Sequence, residues 1–153
     1  MSLIDTFRPL IDAARGLDLT APDVARDELA SRFPPRGPAA QALNAKLRAL
    51  LDEGRIAERG DMPVKFGRVT KALPESDDFS IDVVHMDGPG PHHRHPGGEV
   101  NYCIALDGEP RFDGHAPGWV VMPPGSGHVP TVSGGRMLIV YLLPQGKIEF
   151  TKT

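Results

Sequence analysis

Apolar side chains change their period partway along this chain. Leu3, Ile4, Phe7, Leu10, Ile11 and Ala14 recur at three- and four-residue intervals, which predicts a helix with one apolar face, stopped at Gly16. Pro9 lies inside that stretch and predicts a kink or a late helix start. Thr20 and Asp23 have capping-box spacing, with Pro22 in the first turn. Val24, Ala25, Leu29 and Phe33 then form a face that ends at Pro34-Pro35. A third helix is predicted from about Pro38 to Glu53, with Leu43, Leu47, Leu50 and Leu51 on one side and Gly54 after it. From Val64 onward the helical period gives way to short apolar runs. These read as strands over about 64–70, 79–86, 91–95, 99–106, 109–113, 118–122, 128–132, 136–143 and 147–151. Asp87-Gly88-Pro89-Gly90, Asp107-Gly108, Asp113-Gly114, Pro124-Gly125 and Ser133-Gly134-Gly135 supply the turn signals between them. Strands at this spacing predict a mainly β jelly roll or barrel preceded by an α-helical extension.

Composition sharpens the boundary. Residues 1–59 hold 3 of the 17 glycines, whereas 60–153 hold 14, and all six histidines follow residue 84. The expected division is a helical N-terminal segment over 1–59 and a β-barrel over 60–153. The helices carry no cluster of catalytic residue types and read as a packing or dimerisation element. A net charge of -3 and a pI near 6.0 provide no basic footprint for nucleic acid or an anionic membrane. The longest apolar run, Met137 to Leu143, has seven residues, far short of the roughly 20 needed to span a bilayer. Cys103 is the only cysteine, so no intrachain disulfide is possible. Met1 to Asp5 shows neither a basic nor an apolar signal segment. The expectation is a cytoplasmic protein.

The candidate chemistry lies in Gly90-Pro91-His92-His93-Arg94-His95-Pro96-Gly97-Gly98-Glu99. Side chains alternate along a strand, so His93 and His95 share one face while His92 and Arg94 take the other. Pro96-Gly97-Gly98 can turn the chain so that Glu99 faces back toward the pair, and Pro123-Pro124-Gly125-Ser126-Gly127 can deliver His128 from another strand. Imidazole with carboxylate is a mixed nitrogen and oxygen set suited to a divalent Fe, Mn, Ni, Co or Zn ion. His92 and His115 read as surface residues. His85 sits at a strand end, where it could support the cluster from outside.

These two segments resemble the paired motifs of the cupins, the first running from the glycine through His93-x-His95 to Glu99 and the second from Gly118 to His128. The resemblance covers roughly residues 64–151 and implies a double-stranded β-helix (jelly-roll) barrel with a metal held by His93, His95, Glu99 and His128. It departs in detail. Four residues separate Gly118 from Pro123, Val132 stands where a final Asn is usual, and Glu99 lies further before Gly108 than the motif's common spacing. Asn101 satisfies the shorter spacing and shares the face of Glu99. Either Glu99 is the acidic ligand with Asn101 beside it, or Asn101 occupies the site and Glu99 moves protons.

If Glu99 faces inward, so do Asn101, Cys103 and Ala105, and Val100, Tyr102, Ile104 and Leu106 face outward. The apolar outer face then needs a partner sheet, the N-terminal helices or a second subunit. A homodimer is expected. Arg111 and Arg136 are candidates to pair with a substrate carboxylate, and Tyr141 to line the pocket.

The run from Gly98 through Gly108 to His115, with Pro117 to Val121 and His128 to Arg136, resembles the small bacterial 4-hydroxylaminobenzoate lyases. That likeness implies a metal-dependent lyase of nitroaromatic degradation. Its substrate would be a small aromatic carboxylate, a hydroxylaminobenzoate that leaves as a dihydroxybenzoate plus ammonia. Glu99 and Asn101 would be its catalytic groups. The alternatives are a metal cupin of another reaction, such as a dioxygenase or isomerase, and a non-catalytic ligand-binding cupin.

Overall fold

The computed structural model describes residues 2–150. Four helices come first: α1 (Leu3–Thr6), α2 (Arg8–Ala14), α3 (Pro22–Arg32) and α4 (Pro38–Asp52). Nine strands follow: β1 (Arg59–Asp61), β2 (Val64–Thr70), β3 (Phe79–Met86), β4 (His93–His95), β5 (Glu99–Phe112), β6 (Gly118–Met122), β7 (Ser126–His128), β8 (Val132–Pro144) and β9 (Glu149–Phe150). Six form one antiparallel sheet in the order β1-β2-β3-β8-β5-β6, and three form a smaller sheet in the order β7-β4-β9. The architecture is a mainly β jelly roll with helices in front of it.

The predicted first helix is split at Phe7, with Pro9 in the first turn of α2, where its missing N–H costs nothing. The expected cap at Thr20 does not form. The Asp18 carboxylate takes both the Thr20 N–H (2.9 Å) and its hydroxyl (2.6 Å), so α3 begins one residue later, after Ala21, with Pro22 in its first turn.

The central strands are buried on both faces, and strand parity decides what each face meets. On β5, Val100, Tyr102 and Ile104 join Ile81 and Val83 of β3 and Leu138, Val140 and Leu142 of β8 in one core with Phe7, Leu10, Leu29, Leu47 and Leu50 of the helices. The chain's own helices therefore cover the outer face that could have served a partner subunit. Two polar groups on this face are paired with the helical segment: Trp119 Nε1 donates to the Phe33 carbonyl (3.0 Å) and the Tyr102 hydroxyl to Asn44 Oδ1 (2.9 Å). Phe33, Tyr102 and Trp119 pack with ring centroids 5.0 to 6.2 Å apart. The inner face carries Val84, Met86, Cys103, Phe112, Met137, Ile139 and Tyr141.

Two expected turns prove to be strand. Asp107-Gly108 lies within β5 and Ser133-Gly134-Gly135 within β8, and the pairing shifts register between Ala105 and Asp107 and between Gly108 and Arg111. A Cβ at Gly135 would stand 2.2 Å from the Asp107 carbonyl oxygen, and one at Gly108 2.5 Å from that of Gly134. These glycines let two bulged strands approach closely, which is a different use of the residue from a turn. The strand expected over 128–132 is displaced: β7 ends at His128 and β8 begins at Val132.

Candidate metal centre

The site joins the two sheets. β4 pairs with β7 so that His93 stands opposite His128 and His95 opposite Ser126. The parity of β4 buries His93 and His95 and leaves Arg94 exposed. After β4, Pro96-Gly97 leads to Gly98 at φ +86°, where a Cβ would be 3.0 Å from both the Leu19 side chain and the Met122 carbonyl. A left-handed glycine is required there, and it turns Glu99 at the head of β5 back over the imidazoles.

Ligand-type atoms of His93, His95, Glu99 and His128 all lie within 4.8 Å of one another. Glu99 Oε2 is 3.3 Å from His93 Nε2 and 3.0 Å from His95 Nε2, and Oε1 is 3.9 Å from His128 Nε2. Glu99 is the side chain that reaches the imidazoles. Asn101 sits one inward step further along β5, fully buried, and neither amide atom has a hydrogen-bond partner among the described residues.

The outer nitrogens set the tautomers. The Ser126 hydroxyl donates its one proton to the Pro123 carbonyl (2.6 Å), so at 3.0 Å from the same oxygen His95 Nδ1 must be the donor. His128 Nδ1 donates to the Asp113 carboxylate, which also accepts the Thr131 N–H at 2.8 Å. His93 Nδ1 faces the Pro91 carbonyl at 3.4 Å. Each neutral ring then turns a bare Nε2 lone pair inward. Three imidazole lone pairs and a carboxylate converge with no donor among them. His95 Nε2 and both Glu99 oxygens are buried without a hydrogen-bond partner. Such orphaned acceptors are costly unless a cation faces them. The donor set fits a divalent metal ion by chemistry and by count.

Burial pushes the Glu99 carboxyl up, but its closeness to the His93 and His95 imidazoles outweighs this and holds the group at about 2, as a carboxylate. Burial, then the Glu99 charge, pushes the Tyr141 phenol well above its ordinary value, so that hydroxyl keeps its proton and can donate it in a hydrogen bond. Its ring lies 6.3 Å from that of His93.

A cavity of about 680 Å3 opens beside His93, within the range of small-molecule sites. Tyr141 is among its lining residues, with Val64, Phe66, Val84, Met86, Ile148 and Phe150. Arg111 and Arg136 do not line it. Both sit on the bulged ends of β5 and β8. Arg111 is exposed and reaches only the Gly114 carbonyl, and Arg136 is bonded to Asp107 (2.6 Å) and to His85 Nε2 (3.1 Å). His85, on the opposite strand face from Val84 and Met86, belongs to that pair and gives the metal cluster no support. The arginines in the cavity are Arg59 and Arg68. Sequence reasoning missed them, along with Asp113 and Ser126. In the sequence Asp113 reads as half of a turn dipeptide, and no local signal ties it to His128 fifteen residues on.

A jelly roll with three histidines and a glutamate facing its interior is a cupin-type barrel whose donor set could hold a metal ion. More narrowly, the chain belongs to the PnbB 4-hydroxylaminobenzoate lyase family, whose family model matches residues 11–150. It is 33% identical over 94 residues to the 4-hydroxylaminobenzoate lyase of Nocardioides sp. (strain LMS-CY), covering 56% of each chain. It is 32% identical over 99 residues to the enzyme of that name from Pseudomonas putida, covering 54% of this chain and 56% of the relative. The chain thus matches about half the length of these curated relatives. Among solved structures, it is similar to an RmlC-like cupin protein from Ralstonia eutropha JMP134, with a TM-score of 0.44, 14% identity, and coverage of 60% of this chain and 62% of that one. No helix among the described residues is long and apolar enough to cross a membrane.

Proposed function

We propose that this protein is a metal-dependent lyase that converts 4-hydroxylaminobenzoate and water to a dihydroxybenzoate and ammonia. The observation that carries the reading is the convergence of three Nε2 lone pairs and the Glu99 carboxylate, with the orphaned Asn101 amide one step away on the same strand face.

His93, His95, Glu99 and His128 would hold the ion, which when bound supplies Lewis acidity toward the N–O oxygen or a water. The chain's own groups do the rest. Ser126, Asp113 and the Pro91 carbonyl keep the imidazoles in the metal-ready tautomer. The apolar walls hold an aromatic ring and exclude bulk water, which strengthens every polar contact inside. Asn101 offers one N–H donor edge and one carbonyl acceptor, a match for a hydroxylamino group that both accepts and donates. Tyr141 can donate to a developing oxyanion. Glu99 acts as the carboxylate of the ligand set, and Asn101 hydrogen-bonds the reacting group.

The test is elemental analysis of protein purified without added metal, followed by anaerobic turnover of 4-hydroxylaminobenzoate. The expected result is about one metal ion per chain and ammonia release without oxygen. His95→Ala should lose the metal and about a thousandfold or more of the activity. A metal-free His95→Ala protein that remained fully active would end the proposal, and strict dependence on oxygen uptake would move the chain to a dioxygenase reading.

A further inference from the structure

We propose that Arg59 is the substrate-carboxylate anchor and that the Arg68–Asp82 pair is an internally neutral wall of the same cavity. The site would then select aromatic monocarboxylates, with the acid group at the mouth and the opposite ring substituent toward His93. This rests on the reading of the cavity beside His93 as the substrate site.

The argument is one of charge and placement. The cavity is mostly apolar, and among the described residues its fully charged lining residues are Arg59, Arg68 and Asp82. Arg68 Nε and Nη2 lie 3.0 and 3.3 Å from the two Asp82 oxygens across the β2–β3 register, a bidentate pair. That pairing cancels one arginine and leaves the described lining residues with one positive charge in excess. Arg59 carries it. It pairs with the adjacent Glu58 carboxylate at 4.0 Å, with side chains 75% and 43% exposed, a geometry worth little in water. A planar guanidinium beside an apolar slot recognises a carboxylate by a fork of two hydrogen bonds.

Position sets the polarity of binding. Arg59 opposes Phe66 in the β1–β2 register and shares its face. Arg59 is exposed on the sheet's edge strand, whereas His93 is only 2% exposed at the inner end. A benzoate bridging the two directs its carboxylate outward and its far substituent to the metal cluster. The phenyl rings of Phe66 and Phe150 flank this path, 49% and 67% exposed. Such exposed rings are suited to cover an aromatic guest.

Calorimetry on the metal-loaded protein tests this with 4-hydroxybenzoate and its neutral amide, 4-hydroxybenzamide. The wild type should prefer the acid by about tenfold to a hundredfold. Arg59→Gln should erase that preference while leaving amide affinity and metal content unchanged, and Arg59→Lys should restore part of it. The double variant Arg68→Gln/Asp82→Asn removes both charges of the neutral pair and should retain the preference. The anchor assignment is overturned if Arg59→Gln keeps the preference, or if the double variant loses it. Ammonia release is scored separately. Acid preference lost in Arg59→Gln without turnover in any variant keeps the anchor and sinks the lyase reading. Turnover with no Arg59-dependent preference sinks the anchor alone.

Discussion

Both faces of the central strands are buried, yet they treat polar atoms in opposite ways. On the helix-covered face the indole N–H of Trp119 and the hydroxyl of Tyr102 each find a partner in the helical segment. On the barrel-facing side Glu99 and Asn101 are fully buried, and four of their side-chain atoms lack a hydrogen-bond partner. Burying a polar atom without a partner costs about 1–3 kcal/mol, so the inner face is a local expense that folding alone does not explain. The difference separates two purposes within one sheet. The outer face stabilises the fold, and the inner face presents groups to something that is not protein.

The separation can be broken from the outer side first, where the largest stability effect is expected. Leu47 of α4 is fully buried against the sheet. Leu47→Ala should cost about 2–5 kcal/mol through lost transfer energy and the cavity left behind. Urea unfolding would measure it. Metal content and turnover per folded molecule should stay at the wild-type level. If turnover falls in the folded fraction, the two faces are coupled and the comparison fails.

The inner face should behave in the reverse sense. Asn101→Leu replaces an orphaned amide by an apolar group of similar volume, so stability should be unchanged or higher. Turnover should fall about tenfold to a hundredfold as the hydrogen bonds to the reacting group are lost. Parallel unfolding curves and kinetics decide the point. A marked loss of stability in this variant would mean that Asn101 is a structural residue with a partner of its own.

Much of this contrast was legible in the sequence, because the period of a strand is rigid. Once Glu99 is set inward, Asn101 and Cys103 must follow, and Val100, Tyr102 and Ile104 must seek cover. The sequence left open whether helices or a second subunit supply it, and only tertiary packing decides that. The grouping of His93, His95 and Glu99 was legible because two histidines share one strand face and a glycine turn can bring Glu99 back to them, while the choice between Glu99 and Asn101 stayed open until the distances were seen. Glycine itself was ambiguous. Gly108, Gly134 and Gly135 read as turns, but they mark where β5 and β8 cross closely. β1 escaped notice because Arg59-Gly60-Asp61 has no apolar residue, and with it went the arginine nearest the cavity mouth. Arg111 and Arg136 drew attention by lying in the motif-bearing strands, but the bulges carry them away from the cavity. Side-chain partners such as Asp107 are set by cross-strand register, which local spacing does not encode.

The smallest expected effect concerns Cys103, the inner-face residue that neither binds nor reacts in this account. Burial first, then the charges of Glu99 and Asp113, push its thiol well above the ordinary value of 9.0. A folded-state value raised above the unfolded one favours the folded protein fully at low pH. That contribution is lost as pH rises through 9.0, because the unfolded thiol ionises and the folded one does not. Between pH 7.5 and 9.5 the loss should be about 1 kcal/mol. Cys103→Ala should remove it, seen as a smaller pH dependence of urea stability than in the wild type over that range. The same thiol should resist iodoacetamide in the native protein and react on unfolding, since the thiolate is the nucleophile. Rapid native alkylation would place Cys103 in an electropositive, accessible setting. The inner face would then hold a third functional group beside Glu99 and Asn101.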